Sequence, residues 1–300
     1  MTPYKATLAS PCKLNLTLDV GTPRRDDFHE IDSLVVLLSP SDELTVTVKP
    51  GPRLVKLILK DRRPDAVAIE PVPKGVENLA HKAAQLALDT LAPGKEIQVW
   101  ITLAKRLPVQ AGLGAGSCNA ATVLRAVGEA LGSSPEALLP LGAQLGSDVA
   151  LFLAPLLPLS AGGGGLVRLR GRGERIEPVA LTLPKLYGVL ARPAIGVPTG
   201  PAYALLDALA GRTPGNATER LLAGESLLSA LSNDFEAAVL PAYPAVAAVH
   251  TALTDAGALR ALLCGSGSSV FGLARDRAHA RELVKTLAGK VAWLKLVESL

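Results

Sequence analysis

The sequence has few cysteines and histidines for its 300 residues. Its three cysteines, Cys12, Cys118 and Cys264, lie far apart and form no Cys-x-x-Cys pair. None of the four histidines has metal-ligand spacing to a cysteine, so the pattern argues against a structural zinc site. An odd number of isolated cysteines also argues against a disulfide framework. We therefore expect a reduced, cytoplasmic setting.

Long apolar runs are also missing. The longest, residues 149–159, is too short to cross a bilayer and is interrupted by Pro155 and Pro158. The N-terminal residues include Lys5 and lack the continuous apolar segment of a secretory signal. These features predict a soluble protein with no membrane partner.

Aromatic residues are scarce, at 3%, and the basic residues are scattered along the chain. Nucleic-acid-binding proteins typically show a basic stripe with interleaved aromatics, so we expect no nucleic-acid partner. The net charge of +4 is small, and the scattered basic residues are interpreted as part of a solvated surface. Half of the residues are apolar and 19% are charged, which is ordinary for a folded enzyme.

The most informative segment is a glycine-rich stretch at residues 108–118. Its three glycines at alternate positions permit positive φ and leave no Cβ to block a ligand. The stretch follows a predicted strand at 97–103 and enters an Ala-rich helix, whose first N–H groups favour an anion. A phosphate site is therefore favoured over a flexible turn. The predicted phosphate loop comprises Pro108, Val109, Gln110, Ala111, Gly112, Leu113, Gly114, Ala115, Gly116, Ser117 and Cys118.

This loop matches neither of the two common phosphate-binding motifs. The two Gly-Lys pairs, at 94–95 and 289–290, are followed by Glu and Val, whereas a P-loop needs Ser or Thr there. The dinucleotide fingerprint needs a glycine at position 117, where serine stands.

The hydrophobic pattern predicts both strands and helices. Residues 44–48 alternate between apolar and polar, and residues 54–59 are predicted to pair with them. Asn78 is predicted to cap a helix over 79–91. Strands and helices alternate without a strict β-α-β repeat, which predicts an α+β fold.

The length of the chain suits two domains. A stretch rich in Gly and Arg, residues 161–173, is the predicted junction between them. We therefore expect an N-terminal domain over 1–160 and a C-terminal domain over 161–300.

Two ionisable residues stand among apolar neighbours. Lys13 lies in a predicted strand, and Asp148 follows Gly-Ser and precedes Val-Ala-Leu-Phe. Taken alone, such a lysine more often faces solvent and such an aspartate more often caps a turn. Phosphoryl transfer, however, needs clamped phosphates, a metal and a group that readies the attacking hydroxyl.

The spacing Pro-x-x-x-Gly-Leu-Gly-x-Gly-Ser resembles motif 2 of the GHMP kinases (galactokinase, homoserine, mevalonate and phosphomevalonate kinases). The segments around Lys13 and Asp148 are similar to that family's motif 1 and Gly-Ala-Asp-Val segment. Residues 265–271 resemble motif 3, with a buried hairpin turn as the alternative interpretation.

The resemblance implies that the loop binds ATP and that Ser117 helps to hold Mg²⁺. It gives Asp148 the role of general base and makes Lys13 the cation that orients it and lowers its pKa. It also implies a two-domain α+β GHMP kinase fold. The N-terminal domain would be ribosomal-S5-domain-2-like, and the C-terminal domain ferredoxin-like.

Longer strings narrow the resemblance. Residues 9–18 and 24–31 are similar to the Ala-Pro-Ala-Lys-Ile-Asn-Leu-x-Leu and Arg-x-Asp-Gly-Tyr-His-Glu-Leu strings of one subfamily. The match resumes at 170–178, 192–203 and 232–236, so it covers nearly the whole chain in order. That subfamily phosphorylates the 2-hydroxyl of 4-diphosphocytidyl-2-C-methyl-D-erythritol, in the non-mevalonate isoprenoid route. The substrate implied is thus a cytidylyl sugar alcohol.

Candidate residues for this substrate follow from its chemistry. Cytosine needs an aromatic face and hydrogen-bonding groups along one edge. Phe28 offers an aromatic ring and His29 a polar imidazole, and Tyr203 is a candidate for the other face of the base. The resemblance implies that His29 recognises the cytosine. The alternative interpretation of Phe28 and His29 is a half-buried anchor of a hairpin. Asn15 is expected to bond the substrate near its reacting end. The other candidates are Thr199, Gly265, Ser266 and Gly267.

The sequence departs from the family pattern at several positions. Phe28 replaces the usual Tyr, which keeps stacking but removes a hydroxyl. Ala115 replaces a Gly, which is tolerable only if its φ is negative. Cys118 replaces a Ser, and a thiol at a helix N-terminus is expected to have a lowered pKa.

Two alternative functions remain. The chain is either a GHMP kinase for another small alcohol, of the homoserine or mevalonate type, or a non-catalytic nucleotide-binding regulator. The presence of Lys13, Asp148 and Ser117 together disfavours the regulator, because a non-enzyme has no need of an acceptor-side pair. The sequence favours no oligomeric state.

Overall fold

The computed structural model describes residues 1–26, 28–154 and 165–300, and combines two sheets with ten helices in that part of the chain. The strands are β1 (Tyr4–Asn15), β2 (Thr17–Pro23), β3 (His29–Pro50), β4 (Leu54–Asp61), β5 (Ile97–Lys105), β6 (Val167–Arg170), β7 (Arg175–Pro178), β8 (Tyr187–Arg192), β9 (Ser232–Asn233), β10 (Arg260–Leu263), β11 (Val270–Ala274) and β12 (Trp293–Glu298). The helices are α1 (Leu79–Leu91), α2 (Ala115–Leu131), α3 (Pro135–Leu145), α4 (Ser147–Leu153), α5 (Thr199–Asp207), α6 (Ala217–Leu222), α7 (Leu227–Ala230), α8 (Glu236–Ala242), α9 (Pro244–Asp255) and α10 (Arg277–Leu287). The α+β prediction is confirmed.

The first sheet is organised around the long strand β3. Its path runs β4-β5-β3-β2-β9, while β1 and β6 also pair with β3, and β7 pairs with β6. The predicted pairing of 54–59 with 44–48 is wrong, because β5 occupies that side of β3 and β4 pairs in parallel with β5. Alternation along a strand shows which face is buried, but it does not identify the neighbouring strand.

The second sheet has the order β10-β11-β8-β12, and its neighbours are all antiparallel. Helices α9 and α10 pack against it, and its apolar face is buried with theirs. The last residue of β8 is Arg192, and the turn between β10 and β11 is residues 264–269. Both lie beside the glycine-rich loop of the first half of the chain.

The helix α1 begins where the sequence predicts. The Asn78 side-chain oxygen accepts a hydrogen bond from the Ala80 N–H at 3.0 Å, which satisfies one of the free donors of the first turn. Small side chains on α1 (Ala80, Ala83, Ala84 and Ala87) are fully buried, and α1 packs against α2. This packing fixes the direction in which α2 leaves the loop.

The predicted domain division lies in a segment that is only partly described. Residues 161–164 of the predicted junction, and residues 155–159 of the apolar run 149–159, lie outside the described residues. The first strand after that segment, β6, pairs with β3 of the first sheet. The division at residue 160 therefore stays a prediction.

Among the described residues, no single helix has the length and apolarity needed to cross a membrane. The pair α8 and α9, bent by 111° at the break between them, passes the same test on length and composition alone.

Candidate active site

A cavity of about 460 Å³ brings together most of the residues that the sequence singled out. Its walls come from the glycine-rich loop, the end of β1, the start of α4, α5 and the turn after β10. Of the predicted residues, it is lined by Lys13, Asn15, residues 108–117, Asp148, Thr199, Tyr203, Gly265 and Ser266. The residues Phe28, His29, Cys118 and Gly267 are not among its walls.

The loop needs glycine at two positions. Gly112 and Gly114 have φ values of 71° and 64°, in the left-handed region that favours glycine. A Cβ at Gly112 would lie 1.7 Å from the carbonyl oxygen of Cys264. Ala115, in contrast, is the first residue of α2 and has negative φ, so its replacement of Gly costs no backbone strain.

Four carbonyl groups of the loop accept hydrogen bonds from donors elsewhere in the protein. Val109 O accepts from Arg192, Gln110 O from the N–H groups of Val197 and Ser268, Ala111 O from Ser269 N–H, and Leu113 O from Lys13 N–H. Because these acceptors are engaged elsewhere, the loop can offer N–H groups to a ligand. An anion is therefore favoured over a cation in contact with this backbone.

The N-terminus of α2 supplies free donors to the cavity. The first N–H that makes an intrahelical bond belongs to Cys118, which donates to Gly114 O at 2.9 Å. The N–H groups of Ala115, Gly116 and Ser117 have no backbone acceptor in the described part of the chain, and all three residues line the cavity. In a 17-residue helix these donors and the helix dipole favour an anion such as phosphate.

Lys13 and Asn15 are joined in a buried network. The Lys13 ammonium donates to Asn15 Oδ1 at 2.5 Å, and Asn15 Nδ2 donates to Ser33 Oγ at 2.8 Å. Ser33 Oγ in turn donates to the Thr17 carbonyl at 2.5 Å. These bonds fix the orientation of the amide and leave the ammonium with further N–H donors for a ligand.

Asp148 is the second residue of α4 and is half-buried on the wall of the same cavity. Among the described residues, no ion pair within 4.0 Å joins it to Lys13, whose ammonium donates to Asn15 instead. The structure thus places the two groups around one cavity without direct contact. The predicted roles of both side chains stay predictions.

A buried ion pair that was not predicted from the sequence lies at the entry to the loop. Lys105 is 2% exposed, lines the cavity, and donates to Asp42 Oδ2 at 2.5 Å. The other oxygen of Asp42 accepts from the N–H groups of Arg106 (2.7 Å) and Leu107 (2.8 Å). A usable signal was available, because the buried face of β5 includes every second residue from Ile97 and therefore ends on Lys105.

The candidate cytosine residues are only partly assembled. His29 is buried, its Nε2 lies 2.7 Å from Asp207 Oδ1, and its ring centroid is 4.6 Å from that of Tyr203. Burial, with the charges of nearby Asp148 and Asp207, raises the pKa of Tyr203 to about 12, so its phenol stays protonated at neutral pH.

Phe28, in contrast, is exposed and stands away from the Tyr203 ring system. Its ring is covered by the guanidinium of Arg172, 4.5 Å from the ring centroid. Arg172 lines the cavity and occupies the turn between β6 and β7. Arg172 lies within the 170–178 match to the family, which assigns it no role.

Cys118 departs from the expectation for its position. It is fully buried against the core, and burial raises the pKa of its thiol to about 12. The expected lowering of this pKa by the helix N-terminus is therefore wrong, because loss of solvation outweighs the dipole. Burial likewise raises the pKa of Cys264 to about 12.

Comparison with known proteins agrees with this geometry. The family model for the N-terminal domain of GHMP kinases matches residues 78–154, and the model for their C-terminal domain matches residues 217–291. The first match contains the loop, α2 and Asp148, and the second contains the turn after β10.

Relatives match the chain over nearly its whole length. The 4-diphosphocytidyl-2-C-methyl-D-erythritol kinase of Moorella thermoacetica is 37% identical, with 94% of each chain covered. That of Pelobacter propionicus is 33% identical, with 97% of each covered. A crystal structure of a 4-(cytidine 5'-diphospho)-2C-methyl-D-erythritol kinase matches with a TM-score of 0.77 at 30% identity, covering 98% of this chain and 99% of that one. The chain therefore belongs to the GHMP kinases and, within them, to the 4-diphosphocytidyl-2-C-methyl-D-erythritol kinase family.

Proposed function

We propose that the protein transfers the γ-phosphoryl group of ATP to the 2-hydroxyl of 4-diphosphocytidyl-2-C-methyl-D-erythritol, a step in making isoprenoid precursors. The observation that supports this most strongly is that one cavity holds both halves of such a site. The free N–H groups of α2 form a phosphate site at one wall. Asp148, Lys13 and Asn15 supply acid-base and hydrogen-bonding groups at the others. The identity of the acceptor is inferred from the names of the relatives.

The chemistry assigned to each residue follows from its charge and position. The hydroxyl oxygen of the acceptor forms a bond to the γ-phosphorus while the bond from that phosphorus to the β–γ bridging oxygen breaks, and ADP leaves. The Asp148 carboxylate accepts the hydroxyl proton. The Lys13 ammonium, held by Asn15, offsets the negative charge on the transferring group.

The residues present fit a Mg²⁺ ion that is held mainly by its nucleotide. The Ser117 hydroxyl lines the cavity at the start of α2 and is an oxygen ligand of the type that Mg²⁺ prefers. Among the described residues, no cluster of three or more His, Cys, Asp or Glu side chains is present that would hold a metal without phosphates. When bound, Mg²⁺ neutralises charge on the phosphates.

The charges around the cavity suit two polyphosphate ligands. Lys13, Lys105 and Arg172 line it with Asp148, so cations outnumber carboxylates. We assign the cytosine to Tyr203 and to the His29–Asp207 pair, which offers a ring and a fixed imidazole edge. Phe28 contributes the second ring only if the Arg172 side chain moves off it. ATP is the co-substrate. Because the reaction consumes ATP, we propose that it takes place in the cytoplasm.

The test is ADP release by the purified protein with Mg-ATP and one alcohol at a time. We expect turnover with 4-diphosphocytidyl-2-C-methyl-D-erythritol and none with the same alcohol phosphate lacking cytidine. Turnover with homoserine or mevalonate instead would move the protein to another GHMP activity. ATP binding without acceptor-dependent ADP would support a regulator.

A variant pair refines the assignment. Replacing His29 by alanine should raise the KM for the cytidylyl substrate and leave the KM for ATP unchanged, because His29 lies on the base side. The matched control is His250→Ala, on α9, whose acidic neighbour is Glu236 rather than Asp207. Equal effects of the two substitutions on the acceptor KM would contradict a role for His29.

A further inference from the structure

Arg192 is a fully buried cation that lies behind the glycine-rich loop rather than on the cavity wall. Its Nε donates to Ser268 Oγ at 2.9 Å, and its Nη2 donates both to the Val109 carbonyl at 3.1 Å and to Glu70 Oε2 at 3.0 Å. One guanidinium thus connects the end of β8 to three segments that are far apart in sequence.

These contacts hold the loop on both sides of one residue. Val109 O belongs to the peptide unit that precedes Gln110 and accepts from Arg192. Gln110 O belongs to the peptide unit that follows and accepts from the N–H groups of Ser268 at 3.3 Å and Val197 at 3.2 Å. The Ser268 hydroxyl, which accepts from Arg192, also donates to Ile195 O at 2.6 Å. Arg192 therefore acts on one peptide directly and on the other through Ser268.

The residue between these two peptides needs such support. Gln110 has a φ of 50°, the only positive φ of a non-glycine residue within the described residues. This region is unfavourable for residues with a Cβ and persists only where surrounding contacts fix it. If the Val109 and Gln110 carbonyls were released, the backbone would relax toward negative φ. The N–H groups of the loop would then turn away from their present directions.

Glu70 completes the arrangement from the segment that precedes α1. Its carboxylate is half-buried and compensates the buried charge, while Nη1 of Arg192 has no hydrogen-bond partner among the described residues. Burial lowers the pKa of Arg192, and Glu70 opposes that lowering. A planar guanidinium can serve three acceptors in one plane, which an ammonium cannot do at fixed geometry.

We propose that Arg192 is a positioning residue for the nucleotide, which sets the affinity for ATP by holding the two peptides that flank Gln110. The inference rests on the proposed function only in taking ATP as the ligand of the loop. It does not depend on which alcohol is phosphorylated.

The experiment measures the Kd for Mg-ATP by titration calorimetry, without acceptor, for Arg192→Gln and Arg192→Lys. Loss of a charge-assisted bond that fixes the loop should weaken ATP binding by about tenfold in Arg192→Gln. The Kd of Arg192→Lys should lie between those of Arg192→Gln and the parent, because lysine keeps the positive charge but lacks the planar set of N–H donors of the guanidinium. Steady-state kinetics should show the KM for ATP rising while the KM for the acceptor stays within about twofold.

Arg212→Gln is the matched control. Arg212 also donates to two backbone carbonyls, Val20 O at 2.5 Å and Gly21 O at 2.6 Å, and has an acidic partner in Asp234 at 3.6 Å. The two carbonyls lie on β2 and Asp234 follows β9, so none of these contacts involves the loop. Its substitution should lower thermal stability while leaving the Kd for ATP unchanged.

Glu70→Gln keeps the proposal falsifiable if Arg192→Gln does not fold. It removes the carboxylate that orients the guanidinium and should weaken ATP binding by about threefold. ATP affinity within twofold of the parent in both Arg192→Lys and Glu70→Gln would overturn the proposal, as would an equal loss in Arg212→Gln. Because calorimetry of ATP needs no acceptor, failure of the acceptor assignment would leave this result unaffected.

Discussion

Replacing Gly112 by alanine tests whether the loop is held against the turn after β10 as the structure shows. A Cβ at this position would lie 1.7 Å from Cys264 O and 2.6 Å from its carbonyl carbon. Both atoms belong to the backbone of a buried turn, so no flexible side chain can move aside. The loop and the turn would have to separate by on the order of 1 Å.

The expected loss of stability has two sources. An alanine at φ 71° costs about 1–2 kcal/mol relative to glycine. Overpacking against a rigid backbone costs about 1–3 kcal/mol more. Together they should lower Tm by roughly 4–10 °C for a chain of this size. A displacement of about 1 Å at the phosphate site should also reduce kcat/KM for ATP about 100-fold.

Gly116→Ala provides the contrast within the same loop. Gly116 lies in the first turn of α2 with negative φ, and a Cβ there meets no protein atom within 4 Å. Thermal unfolding should show no loss of stability, because alanine is favoured over glycine in a helix. Any loss of ATP affinity would then report contact with the bound phosphates. A Gly112→Ala protein with unchanged Tm and ATP affinity would refute the packing described above.

Four further predictions concern different parts of the molecule. Asp148→Asn should lower kcat by about 10²–10⁴ and leave the Kd for ATP nearly unchanged, measured by ADP release and calorimetry, if the carboxylate is the general base. Lys105→Met leaves the Asp42 carboxylate buried without its cation and should lower the free energy of unfolding, measured in urea, by about 3–5 kcal/mol. Asn78→Ala removes only a helix cap and should lower the same free energy by about 1 kcal/mol. The thiol of Cys118, with a pKa of about 12, remains protonated at pH 8, so a thiol reagent should modify it only after denaturation.

The sequence predicted best what depends on local chemistry. The α1 boundaries follow from an Asn cap and a helical apolar face, and both were confirmed. The helix that follows the loop was also confirmed, although it begins at Ala115, within the stretch 108–118 that was predicted to be loop. The family motifs predicted the GHMP kinase fold and the family, because they occur in the family's order along the chain.

Features that depend on long-range neighbours were missed or wrong. The partner of β4 is β5, which lies beyond α1 in sequence, and no local pattern favours it over β3. The low pKa expected for Cys118 assumed an exposed helix start, whereas the α2 face that bears this thiol packs into the core. Lys105 is an intermediate case. The alternation along β5 predicts that its side chain is buried, but it does not identify the partner, Asp42.

The glycine-rich loop shows why a motif alone does not make a phosphate site. Its glycines permit the backbone conformation, but they do not select it, because glycine has many alternatives of similar energy. Selection comes from the donors that bond to its carbonyls: Lys13 N–H on β1, and Arg192, Ser268 and Ser269 from the second half of the chain. With those acceptors engaged, the N–H groups of α2 remain free for an anion. The affinity for nucleotide should therefore respond to substitutions on β8 and its neighbouring turn as well as to substitutions in the loop itself.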